Sequence, residues 1–508
     1  MTNANLFARL DAAMLSAGSA IAFAQPDGIS LRYDQLRSAT GRFANALSAL
    51  GVKPGDRVMV QAEKSITAVC IYLAVLKIGA IYNPLNSAYT AAELEYFIGD
   101  AEPAVLLVSK SIKPALAALA VAKNIKSIET LEPDGTGSLL DLAYKQSDVH
   151  ATIERTPKDL AALLYTSGTT GRSKGAMITH ENLLSNAETL SDYWGFSKTD
   201  VLLHALPIFH VHGLFVALHT ALLNGVKMLW HTKFDLDPVL KDLPAATVMM
   251  GVPTFYTRLL GSPKFTAEHC KKLRLVIAGS APLLAETHVA FKQRTGLDIV
   301  ERYGMTETGM ITSNPYKDGE RVAGTVGFAL PGVSVRIASP EGKQQAIGET
   351  GVLEVKGPNV FSGYWRNPEK TKEEFRADGY FISGDLAVMA PDGRVSIVGR
   401  AKDLIISGGY NVYPKEIEDE INAIAGIGEA AVIGLPHPDF GEGVAAVVTS
   451  AAGHAPPVEA EIIASLAGRL AKFKLPKRIF VVSELPRNAM GKVQKAELRK
   501  QYEVTFTR

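Results

Sequence analysis

Cysteine is scarce in this sequence. Only Cys70 and Cys270 occur among 508 residues, and neither lies at a spacing typical of a metal site. Two cysteines in a chain of this length exclude a disulfide-stapled scaffold and favour a reducing compartment. The first residues, Met1 to Asn5, lack the charged and apolar regions of a secretory signal. We therefore expect a cytoplasmic protein.

The sequence also lacks an excess of charge and a long apolar run. Its 53 basic and 52 acidic residues leave a formal net charge of +1. Because nucleic-acid-binding proteins usually carry a basic domain or stripe, this balance predicts no nucleic-acid partner. The apolar run from Ile71 to Ile81 is interrupted by Lys77 and is too short to cross a bilayer. No membrane partner is predicted either.

Up to about residue 350 the sequence alternates between strand-like and helix-like segments. Arg57–Val60 precedes a helical pattern over Ala68–Ile78. Ala104–Val108 and Leu275–Ala278 have the apolar pattern of buried parallel strands. This alternation predicts a large multi-subdomain α/β body of layered sheets with helices on both faces.

The pattern changes after this point. Short strands separated by Gly, Asp and Pro turns begin with Gly351–Val355, which indicates a small β-barrel-like part. The last hundred residues have an α+β pattern that includes a helix over Pro414–Ala423. Because no low-complexity linker separates the parts, we place a short hinge near Arg400 and predict domains over 1–400 and 401–508.

A glycine-rich loop follows the strand pattern Leu160–Leu164. Three glycines between Tyr165 and Gly175 allow backbone N–H groups to approach phosphate oxygens, while hydroxyl side chains and Lys174 add donors. The spacing differs from that of a Walker A loop, in which the lysine directly follows the second glycine.

This loop resembles the phosphate-binding loop of the adenylate-forming superfamily. That superfamily includes acyl-CoA synthetases, luciferases and the adenylation domains of peptide synthetases. The resemblance implies ATP contacts from seven residues of the loop: Thr166, Ser167, Gly168, Thr169, Thr170, Gly171 and Lys174.

A second stretch, from Glu301 to Thr308, resembles the superfamily's Tyr-Gly-x-Thr-Glu segment. The resemblance implies that Tyr303 flanks adenine, that Thr306 contacts phosphate, and that Glu307 holds magnesium together with Thr166. One carboxylate combined with phosphate oxygens is a usual way to hold Mg²⁺ in a nucleotide site. The other residues of the ATP site that the resemblance implies are Glu301, Arg302, Gly304, Gly279, Ser280 and Ala281.

Two later stretches resemble the ribose-binding segment and the hinge of the superfamily. Asp385 suits a ribose diol because a carboxylate only accepts hydrogen bonds. By the same resemblance, Arg400 lies near the ribose and Lys402 lies at the pivot of the hinge.

The resemblance extends to the C-terminal part. Lys492 corresponds to the lysine that reaches the carboxylate and the α-phosphate, where it offsets charge in the in-line transition state. Ser407, Gly408 and Gly409 correspond to a loop that rotates to the active site after adenylation and forms one wall of the tunnel for CoA. The domain over 401–508 is therefore expected to be mobile. Lys492 is also a candidate for a lysine acetyltransferase and deacetylase, because acetylation would remove its charge.

Two arginines carry the prediction of the acid. His210 lies where superfamily members place a side chain beside the acyl group, and Arg258 lies in the segment that builds the acyl pocket. Two guanidinium groups, those of Arg258 and Arg302, are costly at one pocket unless an anion pairs with them. A second carboxylate on the substrate is a natural bidentate partner. The strings Met250–Arg258 and Gly279–Leu283 are also similar to those of malonyl-CoA synthetases.

We therefore expect a ligase that uses MgATP and CoA to convert malonate or methylmalonate into its acyl-CoA through an acyl-adenylate. The expected catalytic residues are Lys492, Thr166, Lys174, Glu307 and His210. The alternatives are a ligase for an aryl or medium-chain monocarboxylate, an enzyme that loads a carrier protein, and a non-catalytic nucleotide-binding regulator. At the level of the site, Arg258 or Arg302 has the alternative of pairing with a protein carboxylate such as Glu301 or Glu307.

Overall fold

The computed structural model describes residues 3–166, 173–456, 458–488 and 491–507. The strands within these residues are β1 Ile21–Ala24, β2 Ser30–Arg32, β3 Arg57–Gln61, β4 Ile81–Leu85, β5 Val105–Val108, β6 Ser127–Thr130, β7 Leu160–Thr166, β8 Lys174–Thr179, β9 Val201–His204, β10 Lys227–Trp230, β11 Val248–Gly251, β12 Leu275–Ala278, β13 Val300–Met305, β14 Gly309–Ser313, β15 Phe328–Ala329, β16 Ser334–Ala338, β17 Gly351–Lys356, β18 Phe381–Met389, β19 Val395–Arg400, β20 Ile405–Ser407, β21 Tyr410–Val412, β22 Ile427–His437, β23 Gly441–Ser450 and β24 Arg478–Val482. The α-helices are α1 Leu6–Ala17, α2 Tyr33–Ala49, α3 Ile66–Lys77, α4 Ala91–Ala101, α5 Lys113–Ala122, α6 Ser138–Ala143, α7 His180–Tyr193, α8 Leu218–Leu223, α9 Leu236–Asp242, α10 Pro253–Leu260, α11 Ala285–Thr295, α12 Pro368–Glu373, α13 Pro414–Asn422, α14 Glu459–Leu466 and α15 Lys495–Tyr502.

Two mainly parallel sheets form the body of the protein. One has six strands in the order β6-β5-β3-β4-β7-β8, and the other has nine in the order β15-β14-β13-β12-β11-β9-β10-β1-β2. Every residue of β11 and β12 is buried, as expected for parallel strands covered on both faces. Helix α3 is buried along most of its length and belongs to a core shared by residues of both sheets. The predicted α/β body with layered sheets is confirmed.

A four-stranded antiparallel sheet follows, in the order β16-β17-β18-β19. Within the described residues this sheet does not close on itself, so the part expected to be β-barrel-like is an open sheet. A barrel requires strand tilt and stagger that bring its two edges together, and four strands are too few for this.

The last sheet consists of β20 to β24 and lies beyond the proposed hinge, with the order β21-β20-β23-β22 and with β24 beside β23. Helix α13 covers it and ends one residue earlier than predicted, at Asn422. The change of sheet between β19 and β20 coincides with the boundary proposed from the sequence, which stays a prediction. None of the described helices has the length and apolar character needed to span a membrane.

Candidate active site

The carboxyl ends of β9, β11, β12 and β13 lie at one edge of the nine-stranded sheet, because these strands run parallel. Ligands of α/β proteins commonly bind at this edge. The segments that leave it carry His210 after β9, Thr254 after β11 and Gly279 after β12. Sequence positions nearly seventy residues apart thereby meet at one place.

The segment after β9 forms a π-helical turn over His212–Ala217. A Cβ on Gly213 would lie 2.1 Å from the carbonyl oxygen of Pro207, so only glycine permits this close approach. Nδ1 of His212 lies 3.1 Å from Oγ of Ser280, which joins this turn to the segment after β12. Such turns are rare and occur frequently at functional sites.

Arg302 is buried at this edge and forms no ion pair with a described carboxylate. Its side chain is 3% exposed, and its Nε and Nη2 atoms have no hydrogen-bond partner in the described part of the chain. The guanidinium lies against Gly279, where an added Cβ would be 2.4 Å from Cζ. Burial lowers the pKa of Arg302 to about 9. A buried, unpaired guanidinium is costly, so this position is suited to an anionic ligand.

His210 and Lys492 lie close to this guanidinium. Burial, followed by the positive charges of Lys492 and Arg302, lowers the pKa of His210 to about 3, so its imidazole is neutral. Burial and then the charge of Arg400 lower the pKa of Lys492, while nearby carboxylates oppose this shift. A Cβ on Gly491 would lie 3.3 Å from Cγ2 of Thr254, so the C-terminal loop reaches α10.

The carboxylate of Asp385 is fixed on both sides. Its Oδ1 lies 3.0 Å from Nε of Arg400, the residue opposite it on the neighbouring strand, and its Oδ2 accepts a hydrogen bond from the hydroxyl of Tyr303. The aspartate is 4% exposed. Each carboxylate oxygen offers about two acceptor positions, so capacity remains for a diol.

Glu307 belongs to a buried polar network. Its Oε1 accepts hydrogen bonds from Oγ1 of Thr166 at 3.3 Å and from the hydroxyl of Tyr364 at 3.2 Å. That hydroxyl also lies 2.7 Å from Glu374, whose Oε1 is 3.4 Å from Nζ of Lys174. Burial raises the pKa of Glu307, which a bound cation would counteract.

The donor set around Glu307 fits magnesium only in part. Among the described residues, no group of three or more His, Cys, Asp or Glu side chains could hold a metal ion. An ion beside Glu307 would therefore take its remaining oxygen ligands from phosphate groups and water, as Mg²⁺ usually does in nucleotide sites.

Tyr364 and Glu374 were not among the residues predicted from the sequence. They lie 57 positions beyond Glu307 and 200 positions beyond Lys174, respectively. No local sequence pattern indicates contacts between residues so far apart along the chain. In the alternative interpretation, Arg302 pairs with Glu301 or Glu307. Within the described part of the chain, Arg302 forms no ion pair with either glutamate.

Arg258 differs from Arg302 in burial. Its side chain is exposed on α10 and lines a surface cavity of about 740 Å³ with Lys233 and Ser262. Neither Arg302 nor His210 is among the described residues that line this cavity. The helix buries its Phe255, Tyr256 and Leu259 side, which turns Arg258 toward solvent, and the role of Arg258 stays a prediction.

The other predicted residues have varied positions. Ser167, Gly168, Thr169, Thr170 and Gly171 lie outside the described residues. Thr306 and Ala281 are partly exposed, Lys402 is exposed and Ser407 is buried. Gly304 is needed for packing, since a Cβ there would be 2.1 Å from the carbonyl oxygen of Gly309. Gly408 and Gly409 form the turn between β20 and β21 with φ values of 59° and 82°, which favour glycine.

Comparisons with known proteins identify the family. The AMP-binding enzyme family model matches residues 10–365, and the model of the AMP-binding enzyme C-terminal domain matches residues 416–492. A feruloyl-CoA synthase from Amycolatopsis sp is 36% identical over 480 residues, which cover 94% of each chain. The mitochondrial malonate–CoA ligase ACSF3 of Mus musculus is 36% identical over 492 residues, which cover 89% of this chain and 83% of that one.

A solved structure of ATP-bound MatB from Rhodopseudomonas palustris is 55% identical, with a TM-score of 0.97 and coverage of 99% of this chain and 100% of that chain. The apo form of MatB, also 55% identical, covers the same shares with a TM-score of 0.86. This chain is therefore more similar in structure to the ATP-bound form than to the apo form. The chain belongs to the AMP-binding enzyme family and is an AMP-forming acyl-CoA synthetase that uses ATP and CoA.

Proposed function

We propose that this ligase activates malonate, with methylmalonate as a second substrate. Malonate and MgATP give malonyl-AMP and pyrophosphate, and the thiol of CoA then displaces AMP to give malonyl-CoA. The observation that carries the proposal is the buried guanidinium of Arg302, whose Nε and Nη2 have no partner in the described chain. A second carboxylate on the acid would supply that partner.

The surroundings of Arg302 support an anionic acid over an apolar one. His210 is neutral and Lys492 is close by, so the pocket offers hydrogen bonds and positive charge. A monocarboxylate would place its single carboxylate at the adenylation end and leave Arg302 buried and unpaired. The similarity to malonate–CoA ligases agrees with this choice.

In the adenylation step, each protein group has a separate task. Lys492 would offset the negative charge that builds up between the attacking carboxylate and the α-phosphate. Asp385 would hold the ribose, and Glu307 with Thr166 would hold magnesium, which supplies positive charge to the phosphates of ATP. Adenylation is needed because a free carboxylate is a poor electrophile.

Thioester formation is proposed to follow a movement of residues 401–508 about Lys402. The movement would withdraw Lys492 and bring the turn with Gly408 and Gly409 to the site. Acetylation of Lys492 and a cytoplasmic location stay predictions.

The test is the CoA-dependent release of AMP with malonate, methylmalonate, succinate, acetate, octanoate, benzoate and ferulate. We expect malonate to be strongly preferred, with acetate near background, because a buried charge left unpaired penalises the shorter acid. Arg302→Gln should reduce this preference, whereas the control Arg294→Gln, on α11, should keep it.

Two rival functions have distinct outcomes in the same assay. The similarity to a feruloyl-CoA synthase supports an aryl acid as the rival substrate. A preference for ferulate or benzoate in the assay would overturn the malonate proposal. Exchange of pyrophosphate into ATP without a free acyl-CoA product would indicate an enzyme that loads a carrier protein.

A further inference from the structure

A lysine is buried between the two large sheets, outside the groups assigned above. Lys64 follows β3, is 5% exposed, and points its ammonium toward the carboxyl ends of β9 and β10. Its Nζ lies 2.8 Å from Nδ1 of His204, 2.8 Å from the carbonyl oxygen of His204 and 2.6 Å from that of His231. It also lies 4.0 Å from the centre of the Trp230 ring.

These contacts favour the charged form of Lys64. Three acceptors match the three N–H donors of an ammonium group, and the indole face adds a cation–π contact. Burial lowers the pKa of Lys64, whereas a neutral amine would have only two N–H donors for these three acceptors. Among the described residues, no carboxylate forms an ion pair with it.

The contact with Lys64 also fixes the tautomer of His204. Because Nδ1 accepts from the ammonium, the proton of the neutral ring lies on Nε2. That nitrogen is 2.9 Å from the carbonyl oxygen of Gly213. His204 thus connects Lys64 to the second residue of the π-helical turn.

The connected turn leads directly to the acid end of the site. The carbonyl oxygen of His210 accepts a hydrogen bond from the amide of Leu214 at 3.0 Å, so His210 is tied to the residue that follows Gly213. A change in the contact between His204 and Gly213 would therefore displace His210, which lies nearer to this contact along the chain than the predicted ATP-binding residues do.

We propose that Lys64 is a positioning residue for acid binding, acting through His204 on the turn that carries His210. This inference rests on the proposed place of His210 beside the acid, but it does not depend on the acid being malonate. A role in folding alone would lower stability and affect both substrates equally.

The first test compares Lys64→Met with Lys77→Met, using the acid preferred in the substrate panel. Lys77 is a matched control because it is 9% exposed, lies on α3, and places its Nζ 4.6 Å from the Phe7 ring, away from the turn. We expect Lys64→Met to raise KM for the acid at least about tenfold and to change KM for ATP less than about twofold, because small displacements at a reacting site are costly. Lys77→Met should leave both values within about twofold.

A second pair of variants keeps the test valid where Lys64→Met folds poorly. His204→Gln retains a side-chain acceptor for Lys64 and a side-chain donor for Gly213, whereas the side chain in His204→Leu supplies neither. We expect the glutamine variant to keep most of the affinity for the acid and the leucine variant to lose it. Equal values for the two variants, or equal changes in both KM values of Lys64→Met, would overturn the inference.

His210→Ala separates this inference from the function on which it rests. If His210→Ala leaves KM for the acid unchanged, the proposed place of His210 is wrong. If that variant raises KM for the acid but Lys64→Met and His204→Leu do not, the proposed function stands and the role of Lys64 is refuted.

Discussion

The guanidinium of Arg302 rests on the backbone of Gly279, with no room for a side chain between them. A Cβ on Gly279 would lie 2.4 Å from Cζ and 2.5 Å from Nη1 of that arginine. The guanidinium of Arg302 can therefore occupy this place only because Gly279 has no side chain. If Arg302 binds the acid as proposed, Gly279 shapes the acid site through Arg302, in addition to its predicted place near ATP.

Gly279→Ala should displace Arg302 and weaken selection for the second carboxylate. We expect KM for the preferred dicarboxylate to rise at least about tenfold, since a displacement of about 1 Å at a reactive site can cost about 10²-fold. The measurement is kcat/KM for malonate and acetate, together with the melting temperature.

The control is Gly99→Ala in α4, where the nearest atom to an added Cβ is 3.8 Å away. Alanine is favoured over glycine in a helix by about 0.5–1 kcal/mol, so this variant should be as stable as the parent or more stable. An unchanged ratio of malonate to acetate activity in Gly279→Ala would contradict the assignment of Arg302.

Lys492→Ala should strongly slow adenylation while sparing the reaction of preformed acyl-AMP with CoA. The expected loss is about 10²–10³ in the rate of acid-dependent pyrophosphate exchange, as for other groups that stabilise transition-state charge. Lys500→Ala, an exposed lysine on α15, serves as the control. A loss below about tenfold would show that Lys492 does not have this role.

The pH dependence of adenylation provides a separate test of Lys492. Burial, and next the charge of Arg400, lower the pKa of this lysine. Since the charged form is the active one, the rate should fall as pH rises, and it should begin to fall below the ordinary pKa of lysine, about 10.4. In Lys492→Arg the residual rate should persist to higher pH, because a guanidinium stays charged.

Asp385→Asn should weaken the recognition of the ribose. The substitution replaces one carboxylate oxygen with a donor and removes the ion pair with Arg400, which lies at 3.0 Å. A hydrogen bond to a charged group contributes about 1.5–3 kcal/mol, so KM for ATP should rise at least about tenfold. The discrimination between ATP and 2′-deoxy-ATP should also shrink.

Asp392→Asn is the matched control for this experiment, because Asp392 lies in the exposed turn between β18 and β19. Its values for both nucleotides should equal those of the parent. If Asp385→Asn discriminates against 2′-deoxy-ATP as strongly as the parent does, the assignment of Asp385 to the ribose site is wrong.

The sequence predicted local features well. The strand Leu275–Ala278 has the bounds expected from its apolar run, and the motif residues Tyr303 and Asp385 meet although they lie 82 positions apart. The short strands after residue 350 were also expected. The open edges of their sheet were not expected. A run of strands indicates a sheet without indicating how its edges end.

The exposure of individual helix residues was harder to infer. Arg258 follows Tyr256 by two positions, and burial of that tyrosine turns the arginine outward. The contacts of Lys64 with His204, 140 positions apart, and of Lys174 with Glu374 depend on how separate sheets pack. No periodicity within either segment contains that information.

Glu301→Gln should change the pH dependence of stability in a direction that can be stated in advance. Burial raises the pKa of Glu301 from 4.5 to about 8 in the folded protein, and its Oε2 has no hydrogen-bond partner in the described residues. Between these two pKa values the folded state holds a proton that the unfolded state has released. The free energy of unfolding therefore decreases as pH rises from about 4.5 to about 8, and this contribution levels off above about 8. Glutamine stays neutral and escapes the decrease, so the melting temperature of the variant relative to the parent should increase between pH 5 and pH 9.

The control is Glu286→Gln, at an exposed position of α11. Its melting temperature should differ from that of the parent by a constant amount over this pH range. A constant difference for Glu301→Gln as well would mean that Glu301 is ionised in the folded protein at neutral pH.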